Sequence, residues 1–216
     1  MTLKAILWDM DGTLIDSEPA HEQAFDESMA SLGVTVPPGT HDALLGSSFV
    51  EVHQAVVRVT GLDLTLDEWK QLKWKYYQAC SAGIKPLKNS QAILDAFTAK
   101  GVPMALVSNS SRDEVNLNLE VTQLADYFQI TVSRNDVEQG KPAPDCYLAA
   151  AKALSLAANE CLVIEDSVTG AKAGLAAGMM TLFHPETEAL VEHCPEGAIL
   201  LPPDGDLGTW LEEAFA

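Results

Sequence analysis

Two aspartates one residue apart, Asp9 and Asp11, follow a short apolar run, Leu3–Trp8, and precede Gly12, which permits a sharp turn. Ser108-Asn109-Ser110-Ser111 follows a second apolar run, Lys141-Pro142 comes after a third, and Glu165-Asp166-Ser167 follows a fourth. A phosphoryl group is anionic, so carboxylates beside it are unfavourable unless a cation lies between them. Asp9, Glu165 and Asp166 make an oxygen-rich group suited to Mg2+, a hard ion that takes few carboxylates and keeps waters. Such an ion screens a nucleophile from the phosphate and polarises phosphorus. Asp9 can then attack and form an aspartyl-phosphate. Asp11 can give a proton to the leaving oxygen and later take one from water. Ser108, with Asn109 beside it, can hold phosphate oxygens together with N–H groups at the start of the following helix. Lys141 can neutralise charge that the metal does not reach. Each of these residues alone has a plainer reading: an isolated Asp-x-Asp is a turn, a loop lysine is exposed, and acids at 165 and 166 suit a helix N-terminus. The set as a whole favours the chemical reading.

The elements that must position these residues are legible as short apolar runs alternating with helical patterns. The runs are Leu3–Trp8, Val102–Val107, Ile130–Val132, Cys161–Ile164, Met179–Phe183 and Ala198–Leu201. Strands apolar on both faces and separated by helices point to an α/β fold, a parallel sheet covered on both sides. In such a sheet ligands bind beyond the carboxyl ends of the strands, where the polar residues above all stand. Ser111-Arg-Asp-Glu114 reads as a capping box opening a helix toward Leu124, Pro144 starts a helix running to Leu156, and Ser167–Ala177 is a helix stopped by Gly178.

One interval departs from this alternation. Roughly 90 residues separate the first two strands, far more than one crossover needs. Phe25, Met29 and Leu32 mark one helical face there; Phe49, Val52, Val56 and Val59 mark another. Thr65-Leu-Asp-Glu68 caps a third helix whose face is Trp69, Leu72, Tyr76 and Ala79. The reading is a helical insert over residues 17–83, with Thr35–Thr40 as a loop inside it, and a discontinuous core of 1–16 and 84–216. Gly83 and Pro86 suit a hinge, so closure of the insert over a substrate is expected.

The chain has 216 residues, 47% of them hydrophobic, enough for a core plus an insert. With 31 acidic against 13 basic residues its formal charge is −18, which repels nucleic acid and anionic lipid. Four scattered cysteines without a Cys-x-x-Cys pair fit a reduced compartment. The N-terminal apolar run is too short for a signal peptide, and no run reaches a membrane span, so the cytoplasm is the expected compartment; a monomer is the plain expectation for a core with an insert of this size.

Asp9-Met-Asp-Gly-Thr-Leu-Ile-Asp-Ser17 resembles the first motif of the haloacid dehalogenase superfamily. Ser108, Lys141-Pro-Ala-Pro144 and Glu165-Asp166-Ser-Val-Thr-Gly170 are similar to its second, third and fourth motifs, in order. The resemblance implies a Rossmann-like core with Asp9 as nucleophile and Asp11 as acid/base. It also implies Mg2+ on Asp9, the backbone carbonyl of Asp11 and Asp166, with Glu165 nearby. The insert is similar to the small helical cap of the branch that holds β-phosphoglucomutase and many sugar-phosphate phosphatases. By the same resemblance, Gly46 and Ser47 belong to a substrate-facing cap loop, and His21 stands where mutase relatives place a histidine that shields or positions the acid/base aspartate. True dehalogenases of the superfamily lack an acid at the position of Asp11, so phosphoryl transfer is expected. The substrate is expected to be a small phosphorylated metabolite. Mutase relatives carry an arginine soon after the cap Gly-x-Ser; here Gly46-Ser-Ser-Phe-Val-Glu51 has none, which favours a phosphatase over a mutase. A silent metal-binding module is a third alternative, and it would be expected to lack Asp9 or Asp11.

Overall fold

The computed structural model describes residues 2–35, 40, 49–61 and 63–216. The chain divides into two compact units: Met1–Asp16 with Lys85–Ala216, and Ser17–Ile84. In chain order the elements used below are β1 (Ala5–Trp8), β2 (Ile15–Asp16), α1 (Glu18–Ser31), α2 (Phe49–Thr60), α3 (Leu66–Cys80), β3 (Lys85–Pro86), α4 (Ser90–Ala99), β4 (Met104–Val107), α5 (Arg112–Thr122), β5 (Ile130–Val132), α6 (Asp145–Ala153), β6 (Cys161–Glu165), α7 (Val168–Ala176), β7 (Met180–Phe183), α8 (Glu188–Val191), β8 (Ile199–Leu200) and α9 (Leu207–Ala214).

Among the described residues the first unit carries a six-stranded sheet of order β5-β4-β1-β6-β7-β8. Every pairing is parallel; Leu7 of β1 stands between Ala105 of β4 and Val163 of β6. Ala5, Leu7, Ala105, Val107, Cys161 and Val163 pack on Tyr147, Ala150 and Ala151 of α6 and Ala173 of α7. The alternate residues Ile6, Trp8, Met104, Leu106 and Ile164 are equally buried. The sheet is therefore covered on both faces, as fully apolar strands require. Chain order reverses on either side of β1, which makes its carboxyl end the switch point of this Rossmann-like fold. A small antiparallel ribbon, Ile15 opposite Pro86 and Asp16 opposite Lys85, joins the two ends of the chain that lead out of this unit.

Helix starts follow local chemistry. The Ser111 hydroxyl accepts from the Glu114 N–H at 3.3 Å and that of Ser167 from the Gly170 N–H at 3.0 Å. One helix end differs from expectation: α6 stops at Ala153, short of Leu156, because the chain turns through a left-handed Ser155 at φ 60°.

In the helical unit, Phe25, Met29, Val56 and Trp69 form the core, and Thr65 and Glu68 make the reciprocal capping box. Two details of the expected faces change. Val59 lies in the last turn of α2, is 73% exposed, and takes no part in that core. On α3 the buried residues are Trp69 and Tyr77, while Ala79 is exposed. Trp69 and Tyr77 lie eight residues apart, about two turns along the helix, and Leu72 and Tyr76 of the expected face are half-buried between them. Of the expected inner loop, residues 36–39 lie outside the described residues, as do Gly46, Ser47 and Ser48. No helix among the described residues is long and apolar enough to cross a membrane. The four cysteines are unbridged.

Candidate active site at the switch point

Asp9 is the first residue beyond β1, and its N–H extends the ladder to the Ile164 carbonyl at 3.0 Å. It shares the strand parity of Ala5 and Leu7, so its side chain emerges on the α6 side of the sheet. Lys141 meets it there. The ammonium donates to Asp9 Oδ1 at 2.5 Å, to Glu165 Oε1 at 2.5 Å and to the Val107 carbonyl at 2.8 Å. An ammonium has three protons, and all three are used. The lysine backbone is held as well: its N–H donates to Asn109 Oδ1 at 2.9 Å, and Asn109 Nδ2 donates to its carbonyl at 3.2 Å. The Lys141–Pro142 peptide bond is cis. Asn109, expected beside the phosphate, thus spends both ends of its amide on the loop that carries Lys141.

Glu165 closes β6 and is fully buried. Besides Lys141, the Tyr147 hydroxyl donates to Oε1 at 2.6 Å and the Ser167 hydroxyl donates to Oε2 at 3.0 Å. Gly170 leaves the room for this carboxylate, since a Cβ there would stand 1.8 Å from Oε1. Asp166 accepts from the Thr13 hydroxyl at 2.8 Å. Gly12 has φ +78°, and a Cβ on it would lie 2.5 Å from Asp166 Oδ2, so conformation and space both demand glycine. Asp11 turns toward the end of β4: Oδ2 accepts from the Ser110 hydroxyl at 2.9 Å and from Ser108 at 3.4 Å, and Asn118 Nδ2 reaches Oδ1 at 3.5 Å. Ser108 Oγ in turn accepts the Ser110 N–H at 2.9 Å. His21 belongs to the helical unit, where its ring stacks on Tyr77 with centroids 4.5 Å apart.

One carboxylate oxygen each of Asp9, Glu165 and Asp166 lie within 4.8 Å of one another. Lys141 is the ammonium that answers them. Burial, then the charge of Glu165, pushes the Asp9 carboxyl well above the usual carboxylate range, with Lys141 opposing. Burial and Glu165 raise Asp166 to about 7, against the Thr13 hydrogen bond. Burial pulls the Lys141 pKa down, but Asp9 and Glu165 outweigh it and hold the group as an ammonium, above its ordinary value. Burial, followed by the charge of Glu165, keeps the Tyr147 phenol protonated and therefore a donor. The group is short of positive charge, which is what a hard divalent cation supplies. Asp9 and Asp166 fit that role best. Glu165 lies in reach, but donors already occupy both its oxygens, and the carboxylate of Asp11 stands outside the three.

The structure thus brings together Asp9, Asp11, Ser108, Lys141, Glu165 and Asp166 in one unit. It adds Ser110, Asn118, Tyr147 and Ser167, to which sequence reasoning gave no role, and it gives Thr13 of the first motif a partner in Asp166. Asn118 had a signal: it is the amide in an otherwise apolar or small stripe of α5, Val115, Leu119 and Thr122, and it is fully buried. Tyr147 had none, because a tyrosine among the alanines of α6 reads as core.

A model of the family described as haloacid dehalogenase-like hydrolase matches residues 3–178. The bifunctional riboflavin kinase/FMN phosphatase of Arabidopsis thaliana is 32% identical over 181 residues; the match covers 83% of this chain and 48% of that protein, so the chain spans about half its length. Hexitol phosphatase A of Escherichia coli (strain K12) is 30% identical over 190 residues, 82% of this chain and 81% of that one. Among solved structures, a HAD family hydrolase from Deinococcus radiodurans R1 with bound phosphate and sodium superposes with a TM-score of 0.76 at 29% identity, covering 98% and 96% of the two chains. The matched region contains every residue of the site, and the chain belongs to the haloacid dehalogenase-like hydrolase family.

Proposed function

We propose that this protein is a Mg2+-dependent phosphatase that hydrolyses a small phosphomonoester, of the sugar-phosphate class, through an aspartyl-phosphate on Asp9. The observation that carries the reading is the convergence, at the ends of β1, β4 and β6, of a buried carboxylate bonded to Lys141 with a second aspartate two residues on. In the first half-reaction a carboxylate oxygen of Asp9 bonds to phosphorus and the ester P–O bond breaks. The leaving alkoxide takes a proton from Asp11. In the second, water attacks the aspartyl-phosphate, Asp11 takes the water proton, and Asp9 is freed as inorganic phosphate leaves. Ser108 and the N–H groups that open α5 hold the phosphoryl oxygens. Lys141 keeps Asp9 oriented and balances the charge that grows on the oxygens in transfer. Asp9 and Asp166 hold the Mg2+, which when bound screens the nucleophile from the anionic ester. The Ser17–Ile84 unit is read as the cap that selects the substrate. Support for the sugar-phosphate class comes from the resemblance to a hexitol phosphatase.

The test is release of phosphate from p-nitrophenyl phosphate and a panel of sugar phosphates, with Mg2+, with EDTA, and with Asp9→Asn. Turnover that needs Mg2+ and disappears in the variant is expected. Wild-type turnover in Asp9→Asn would remove the covalent route, and interconversion of β-glucose 1-phosphate with glucose 6-phosphate faster than phosphate release would replace the phosphatase by a mutase.

A further inference from the structure

Tyr147 lies in the first turn of α6, fully buried on the face that packs against β4 and β5, in a position where phenylalanine would fill the same space. Its two distinctive contacts are both with the charged pair beneath Asp9. The hydroxyl donates to Glu165 Oε1 at 2.6 Å, the same oxygen that takes Lys141 Nζ at 2.5 Å. The ring stands 5.0 Å from that ammonium, within the range in which an aromatic ring attracts a cation. The other oxygen, Oε2, takes the Ser167 hydroxyl, and Gly170 presents no Cβ to crowd it. Glu165 is thus fastened from α6 and from the turn before α7, while its remaining partner is the lysine that also binds the nucleophile.

We propose that Tyr147 is a positioning residue for the reaction: together with Ser167 it fixes the Glu165 carboxylate, and Glu165 so fixed keeps the Lys141 ammonium on Asp9. The inference rests on the function proposed above. The physical argument is one of competition. Lys141 divides three protons among Asp9, Glu165 and the Val107 carbonyl, so its place is set by where those three acceptors stand. The Val107 carbonyl is backbone at a strand end, while Asp9 and Glu165 offer side-chain carboxylates. Glu165 has the longer side chain of the two, and without its lateral donors its carboxylate can rotate about its last torsion, taking the ammonium with it. A donor to a charged group is among the stronger neutral-to-ion hydrogen bonds, so its loss is large enough to read in rate.

Tyr147→Phe keeps the ring and removes the hydroxyl. With p-nitrophenyl phosphate and Mg2+, kcat is expected to fall about tenfold while KM stays within about twofold, because the lysine acts on the transferring group more than on ground-state binding. Glu165→Gln should lower kcat as well, and the double variant should fall no further than Glu165→Gln alone. Wild-type kcat in Tyr147→Phe, or losses that multiply in the double variant, would overturn the proposal. Should Tyr147→Phe fail to fold, Ser167→Ala reads the other oxygen of the same carboxylate: a loss in kcat without KM supports the assignment, and wild-type kcat sinks it. A second readout needs no turnover. In metal-free protein labelled with 15N-lysine, the Lys141 ammonium resonance, assigned by its absence in Lys141→Arg, should shift or broaden in Tyr147→Phe. An unchanged resonance would refute the positioning role. If the wild-type chain cleaves no phosphate ester, the function proposed above falls, and the resonance still decides the place of Tyr147.

Discussion

At the scale of single residues, the site is built around one buried cation. Lys141 is nearly inaccessible, and its three protons go to three acceptors, two of them carboxylates. A buried ion pair contributes little net stability against an apolar substitute, but removing one partner leaves charge without compensation. Lys141→Met should therefore destabilise the protein by about 3–5 kcal/mol in urea unfolding with EDTA present. Adding Glu165→Gln should recover much of that loss. A cost for Lys141→Met below about 1 kcal/mol would show that the carboxylates accept protons and relax instead. Glycine carries the complementary lesson. Gly170 is required by the side chain of Glu165, which lies five residues earlier in the chain and becomes its neighbour only because β6 turns straight into α7.

At the scale of elements, α5 is tied to the edge strand β5 by Arg112. Its guanidinium donates to the Thr131 hydroxyl at 2.7 Å and to the Thr131 carbonyl at 3.0 Å, and it pairs with Asp136. Asp136 also accepts from the Ser133 N–H and hydroxyl, each at 2.7 Å. Partial burial raises the Asp136 pKa, but the Ser133 donors and Arg112 outweigh it, and the value falls below its ordinary 3.8. A carboxylate whose folded pKa is depressed stabilises the fold above the unfolded value, and that contribution is lost as pH falls through the folded one. Between pH 4 and pH 2 the wild type should thus lose stability more steeply than Asp136→Asn, with the two slopes converging above about pH 5. Identical slopes for both proteins in acid unfolding would show that the pair is too solvent-screened to matter. This tie steadies the helix that Ser111 caps and that Ser108 and Ser110 directly precede.

At the scale of the whole molecule, a formal charge of −18 sits against a site that must admit an anion. Local cations have to reverse that field, and among them Lys141 is already committed to carboxylates. On the proposed function, a divalent ion held by Asp9 and Asp166 is expected to raise the apparent Tm through linkage, by RT ln(1 + [L]/Kd). At 100 times its Kd, Mg2+ should raise the Tm by roughly 5–10 °C. The control is NaCl at matched ionic strength, which screens the general repulsion of so acidic a chain without occupying the site. Asp166→Asn should lose the Mg2+-specific part of the rise. A rise equal to that with NaCl would argue that no such ion binds.

Much of this protein was determined by sequence alone. Six apolar runs became the six parallel strands, because the inner strands, buried on both faces, must be continuously apolar and few other segments here are; β8 at the edge is apolar but exposed. The polar residues following those runs fell at the carboxyl ends of the strands, since a parallel sheet delivers every such end to one edge. Asp9, Asp11, Ser108, Lys141, Glu165 and Asp166 were legible for that reason. Tertiary structure alone decided what lies between them. That Asn109 clamps the Lys141 backbone, that Ser110 and Asn118 hold Asp11, and that Tyr147 answers Glu165 depend on approaches across 18 to 107 positions of chain; the α5 stripe marks Asn118 as a buried amide but does not name its partner. The faces of α2 and α3 were also decided by packing: periodicity places residues on a stripe, but which stripe is covered depends on the neighbour that covers it.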